Sequence, residues 1–360
     1  MDKIPSLKIG DLIAKIPIIQ GGMGVGISLS GLASAVANEG GIGIIATPGV
    51  AGCRYENYSN NPAMNNKALR EEIQKARQNA PKGIIGVNIM VALSNYEELV
   101  KTSLDEGVDL IISGAGLPLN LPAYLDKNKH KTKLVPIVSS DKAASIICRK
   151  WLQKADYLPD AVVVEGPLAG GHLGFSRAEL DNPELTLENI FPKVVEMIKT
   201  FEDKYNKKIP VIAAGGIYTG ADIKKFFKLG ASGVQMATRF VATKECDASE
   251  DFKKAYINAR EEDIVIIQSP VGLPGRVIRN QFIDDVKAGK TKPFKCPFRC
   301  ISSCNFKEAP YCIAQALLNA RKGNLAEGFA FAGYNAYRTT SIISVKDLIA
   351  ELVSQFEAAE

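Results

Sequence analysis

Ala161-Val-Val-Val-Glu-Gly-Pro-Leu-Ala-Gly-Gly-His172 is the stretch whose reading decides the fold. Its opening β-branched run has the character of a short strand covered on both faces, as in a parallel sheet wrapped by helices. Glu165 and Gly166 end the run, and Gly170-Gly171 let the backbone come close to something flat or charged. His172 is one of only two histidines in the chain. Its side chain is the kind whose charge can change near neutral pH. A strand, a glycine loop and one titratable group together read as the lip of an active site.

The same pattern repeats on either side. Short apolar runs at 16–19, 42–46, 84–89, 110–112, 134–138, 161–164, 210–213 and 233–236 predict eight strands. Amphipathic stretches at 29–38, 67–79, 96–106, 142–154, 187–205 and 221–228 predict helices after nearly all of them. Alternation of this kind implies parallel pairing, and eight units imply an α/β fold of the closed (β/α)8 TIM barrel type. An open doubly wound sheet is the alternative. Gly21-Gly-Met-Gly-Val-Gly26 approaches its glycine fingerprint, but no acidic residue ends the second strand to hold a ribose, so the barrel is preferred. Residues 241–323 break the alternation and are expected to form a small, mostly helical lid over the barrel mouth. Residues 1–240 would then form the barrel, with a C-terminal helix in 324–360 returning to its wall.

Composition narrows the function. The 360 residues are 46% hydrophobic and 23% charged, ordinary for a globular enzyme. The net charge of +5 is spread along lysine-rich helices without interleaved aromatics, which argues against nucleic acid. No stretch reaches the roughly 18 apolar residues of a membrane span, and the N-terminus lacks the apolar core of a signal peptide. A cytoplasmic protein is expected. Seven cysteines, an odd number, do not suggest a disulfide framework.

The C-terminal ends of barrel strands carry the chemistry of this architecture. In order they are Gln20-Gly-Gly-Met23, Thr47-Pro-Gly49, Asn88, Ser113-Gly-Ala-Gly116, Ser139-Ser140, Glu165 to His172, Ala214-Gly-Gly216 and Gln235-Met-Ala-Thr238. Glycines, amides and hydroxyls dominate. There is no pair of acids for glycoside hydrolysis and no histidine cluster for a metal. Backbone N–H groups and neutral polar groups suit a planar heterocycle with a phosphate tail. Gly215-Gly216 and Gln235, Met236, Ala237 and Thr238 follow the last two strands, where this fold commonly holds phosphate.

Taken with Pro17-Ile-Ile-Gln-Gly-Gly-Met23, Asn38-Glu-Gly-Gly-Ile-Gly43 and Gly86-Val-Asn88, these motifs resemble the nitronate monooxygenase (2-nitropropane dioxygenase-like) family over about residues 10–285. Flavin-dependent enoyl-acyl-carrier-protein reductases share most of them. The resemblance implies noncovalent FMN. Gly215, Gly216 and Gln235 to Thr238 would hold its phosphate and Asn88 the ring edge, with Met23 against the flavin. Gln20, Gly21, Gly22 and Gly171 belong to the same rim, while Glu165 and Gly170 would line the ribityl side. His172 aligns with the histidine placed over the reactive face. Gly114, Ser139 and Arg276 are expected to face the substrate. Ser139-Ser140 stands where several relatives carry lysine or histidine, which bears on the substrate rather than on FMN.

The activity implied is oxidation of alkyl nitronates with O2. The alternative is enoyl-thioester reduction with NAD(P)H, and the resemblance leaves room for a homodimer. Arg279 shares the Arg276 segment, while Tyr55 and Tyr58 are candidate pocket walls and His130 is expected to be solvated. Cys296, Cys300, Cys304 and Cys312, within segment 295–312, lie outside the family motifs. Four thiols so close together suggest a zinc or iron–sulfur site, although no short zinc knuckle has this spacing and Pro297 and Pro310 interrupt any helix. Small apolar cysteines packing a compact lid are the competing reading.

Overall fold

The computed structural model describes residues 3–55, 61–296 and 298–360, so Tyr58 lies outside the described residues. Eight parallel strands are present: β1 (Ile18–Gln20), β2 (Ile42–Ala46), β3 (Ile84–Met90), β4 (Leu110–Gly114), β5 (Lys133–Val138), β6 (Val162–Glu165), β7 (Val211–Ala214) and β8 (Gly233–Met236). Each pairs with its sequence neighbour and β8 pairs with β1, closing the barrel. Alternate side chains point to opposite faces. In β6, Val163 therefore joins Ile19, Ile44, Ile112 and Ile212 inside, while Val162 and Val164 pack outward under the helices. This explains why the strands read as unbroken apolar runs. A short hairpin, Leu7–Ile9 with Leu12–Ala14, places Leu7, Ile9 and Ala14 in the same interior cluster.

The outer ring holds α1 (Ser30–Asn38), α2 (Pro62–Asn79), α3 (Tyr96–Asp105), α4 (Asp141–Ala155), α5 (Leu187–Tyr205) and α6 (Gly220–Lys228). Their starts are set by side-chain caps such as Ser140, Thr186 and Thr219. A single 3-10 turn, Leu121–Tyr124, replaces a helix after β4. Packing of α1 on β2 depends on Gly43, where a Cβ would stand 1.8 Å from the Ala33 carbonyl oxygen. Gly43→Ala is expected to cost about 3 kcal/mol through overpacking, read as a lowered urea midpoint. An unchanged midpoint would contradict this packing.

Residues 241–323 contain α7 (Glu250–Ile257), α8 (Gln281–Lys287) and α9 (Ile313–Arg321). They also contain an antiparallel ribbon that the expectation of a mostly helical lid did not include, β9 (Ile264–Gln268) with β10 (Pro274–Ile278). The free edge of β10 pairs with the barrel loop, Gly275 opposite His172 and Arg276 opposite Gly171. The described residues of 289–312 form no helix, and Ser94 N–H donates to the Cys300 carbonyl at 3.1 Å, tying this segment to the loop after β3. The C-terminal helix, α10 (Val345–Ala358), packs beside α6 and α1, in the ring position of the missing eighth helix. Gly220 permits this, since a Cβ there would lie 2.2 Å from the Leu352 carbonyl oxygen.

Candidate active site

A cavity of about 290 Å³ opens at the C-terminal ends of the strands. Its floor includes Gly21, Gly22, Met23, Asn88, Gly114, Glu165, Gly215, Gly216, Gln235, Ala237 and Thr238, with Gly170, Gly171 and His172 on one wall. Gly22 is required because a Cβ would come within 2.3 Å of Asn88 Cβ. Gly170 is required because a Cβ would meet the Ala332 carbonyl carbon at 2.5 Å. Gly215 and Gly216 hold φ of +92° and +86°, which aims their peptide groups in a way that side-chain-bearing residues resist.

Four of the residues expected to touch cofactor or substrate do not line the cavity. Gln20 is fully buried beneath it, accepting the Ile44 N–H at 3.0 Å and donating to the Gly21 carbonyl. Met236 packs outward, while its carbonyl accepts the Gly21 N–H at 2.8 Å. Ser139 donates to the Gly174 carbonyl at 3.1 Å. Arg276 is buried and donates to the Pro167 carbonyl at 2.7 Å and the Ala169 carbonyl, so it clamps the glycine loop. Gln20 and Arg276 thus brace the rim. Arg279 pairs with Asp284 at the surface, and Tyr55 bonds Glu71 outside the cavity. His130 is half-buried rather than solvated, with Nδ1 accepting the Asp126 N–H at 3.1 Å.

Several lining groups were invisible in the sequence. Phe331, Ala332 and Gly333 cover the cavity, far along the chain from the barrel loops. Gly333 N–H donates to Thr238 Oγ1 at 3.3 Å, and the neighbouring Asn335 donates to the Gly216 carbonyl at 2.7 Å. Phe252, Tyr256, Val271, Ile313 and Leu317 complete an apolar roof. The β-branched run in β9 was a usable signal for the ribbon; nothing local announced residues 331–333.

Electrostatically the cavity is nearly empty of charge. Burial pushes the Glu165 carboxyl up to about 7. Burial also holds the His172 imidazole down at about 4, so the ring is neutral at pH 7. Its Nε2 lies 2.8 Å from Ser269 Oγ, and its ring meets Phe331 edge-on at 4.9 Å between centroids. The Glu165 shift predicts a pH signature. Its folded value, about 7, lies above the ordinary 4.5, so the folded state binds more protons in that window. The corresponding stability is complete below pH 4.5 and is lost as pH rises through 7, about 3 kcal/mol at roughly 1.4 kcal/mol per unit. His172, lowered from 6.5 to about 4, acts in the opposite sense and masks the slope in the wild type. In urea unfolding, the advantage of wild type over Glu165→Gln should shrink from pH 4.5 to 7; a constant gap contradicts it.

The residues fit a flavin, whose ring N–H or hydroxyl groups suit an unpartnered acceptor and whose phosphate suits backbone N–H groups. Gln235 lines this cavity, and its Oε1 is buried with no hydrogen-bond partner among the described residues. An unmatched buried polar atom of this kind marks a place where a ligand group completes the pairing. Around it lie two glycine loops, and the acid nearby, Glu165, is pushed up to about 7 by burial. Cys296, Cys300, Cys304 and Cys312 line a neighbouring pocket of about 290 Å³, and Cys300 borders both cavities. Among the described residues, no group of three or more His, Cys, Asp or Glu stands where it could hold a metal ion, so the metal reading gains no support here.

A closed (β/α)8 barrel with a glycine-lined, nearly neutral mouth under an apolar roof is suited to a flat phosphorylated group. Comparison with known proteins gives the family. The model for nitronate monooxygenase matches residues 6–355, and the chain belongs to this family of FMN-dependent oxidoreductases. A probable nitronate monooxygenase of Staphylococcus aureus is 30% identical over 303 residues, covering 76% of this chain and 78% of that protein. The structure of FabK from Thermotoga maritima is similar with TM-score 0.72 and 30% identity, covering 95% of this chain and 93% of that one. A nitroalkane oxidase from Streptomyces ansochromogenes shares the fold, with TM-score 0.71 and 22% identity over 96% of each chain. Among the described residues, no helix is long and apolar enough to cross a membrane.

Proposed function

We propose that the chain is an FMN-dependent nitronate monooxygenase-like enzyme that oxidises alkyl nitronates with O2. The observation that carries this reading is the cavity shared by the unpartnered Gln235 Oε1 and the imidazole of His172. Bound there, FMN supplies electron-transfer chemistry between the nitronate and O2. Backbone N–H groups of Gly215, Gly216, Ala237 and Thr238 would hold its phosphate, and Asn88 and Gln235 its polar edges. Met23 would lie against the ring, with Glu165 and Gly170 along the ribityl side. His172 would bind the anionic nitronate oxygens. Gly114 would border the substrate; Arg276 and Ser139, placed off the cavity, would act through the loops they brace. Phe252, Tyr256 and Phe331 exclude water, which strengthens each polar contact inside.

A second reading, enoyl-thioester reduction with NAD(P)H, is favoured by one feature. Leu93, Phe298, Ile301, Ile313 and Leu317 extend the cavity as an apolar wall suited to an acyl chain. O2 uptake with an alkyl nitronate and no NADH supports the first activity. NADH loss that depends on an enoyl thioester supports the second. Failure of both with FMN bound would leave a noncatalytic flavin-binding protein. We further propose residence in the cytoplasm.

A further inference from the structure

Ser269 closes the tip of the β9–β10 ribbon. Its N–H donates to the Leu273 carbonyl at 3.0 Å and its own carbonyl accepts the Gly272 N–H at 2.9 Å. The side chain is buried, and Oγ accepts the Val271 N–H at 3.3 Å. Oγ also lies 2.8 Å from His172 Nε2. Among the described residues, the hydroxyl hydrogen has no other acceptor within reach. If Nε2 carried a hydrogen, the hydroxyl would accept both bonds and bury its own hydrogen without a partner, an arrangement proteins avoid.

We infer that Ser269 donates to His172 Nε2 and fixes the ring as the tautomer with its hydrogen on Nδ1. His172 then faces the cavity as a neutral hydrogen-bond donor rather than as a base. This rests on the proposed catalytic role of His172. Nδ1 has no partner among the described residues, whereas Nε2 is engaged. The residue is held in place: the backbone pairs with Gly275, Leu173 N–H donates to the Pro274 carbonyl at 2.9 Å, and Phe331 packs edge-on to the ring. A neutral imidazole so oriented can stabilise developing negative charge on oxygen, as neutral histidines do in other barrel enzymes. The oxygens it would serve are those of a nitronate, or the enolate-like oxygen of a reduced thioester. Ser269 is therefore a positioning residue.

The second histidine supplies an internal reference. His130 Nδ1 accepts the Asp126 N–H, so a neutral His130 carries its hydrogen on Nε2. With two histidines in the chain, the two tautomers should be opposite and separately visible. The test is long-range 1H–15N NMR on histidine-labelled, FMN-loaded protein at neutral pH, with His130→Gln providing assignment. The expected spectrum has an acceptor-type Nε2 and an N–H-type Nδ1 for His172. Ser269→Ala should shift this pattern toward the other tautomer and lower kcat on the order of 100-fold with little change in KM, and Ser269→Thr should restore both. An N–H-type Nε2 in the wild type, or a pattern unmoved by Ser269→Ala, overturns the assignment. A shifted tautomer with unchanged kcat overturns the donor role. A normal rate in His172→Ala instead overturns the catalytic reading, while the nitrogen shifts still decide the tautomer.

Discussion

Gly215→Asp should yield a folded, colourless protein. Gly215 sits at φ +92°, where an L-residue is strained, and a Cβ would approach the Gly166 carbonyl oxygen to 2.9 Å. Backbone strain of this kind costs on the order of 1–3 kcal/mol. The new carboxylate would also stand among the amides proposed to hold a phosphate and repel it. Each 1.4 kcal/mol is about tenfold in affinity, so a loss of FMN binding by roughly two to three orders of magnitude is expected. Fluorescence titration of apoprotein with FMN measures it directly, and circular dichroism checks that the barrel survives. Retained yellow colour would place the phosphate elsewhere.

His172→Ala should separate chemistry from cofactor binding. The backbone pairing of Gly171 and His172 with Gly275 and Arg276 does not need the imidazole, so the glycine loop keeps its course. FMN content should stay near that of the wild type. Turnover should fall by about 10²–10⁴, the range typical for loss of one positioned acid–base or hydrogen-bonding group. Ser269 would be left with an unsatisfied buried hydroxyl, costing on the order of 1–3 kcal/mol of stability. Steady-state kinetics with alkyl nitronate, alongside flavin absorbance, reads both effects. An unchanged rate would remove His172 from the reaction.

The barrel was legible because its signals are local. β-branched runs gave the eight strands within two or three residues of their observed ends, and periodicity gave the long ring helices. The rim glycines were legible too, since strand-end position alone marks them. What failed to show were relations between distant segments. Arg276 looked like a substrate contact because its charge is visible and its two carbonyl partners, over 100 residues away, are not. Gln20 and Met236 sit at strand ends, but the pleat turns one beneath the floor and the other into the outer core. The ribbon was obscured because Gly272 and Pro274 read as loop, although they flank its turn and its first strand residue. Ser269 had no signal at all before the ribbon brought it against His172. In the cysteine block, sequence proximity did carry over into space, since all four thiols line one pocket.

The central claim is a barrel mouth that grips FMN through main-chain amides. Absorbance of the protein as purified, followed by denaturation and chromatography of the released pigment, tests it most directly. The account predicts a flavin band at about 450 nm and one FMN released per chain. A colourless protein that takes up no added FMN would contradict it.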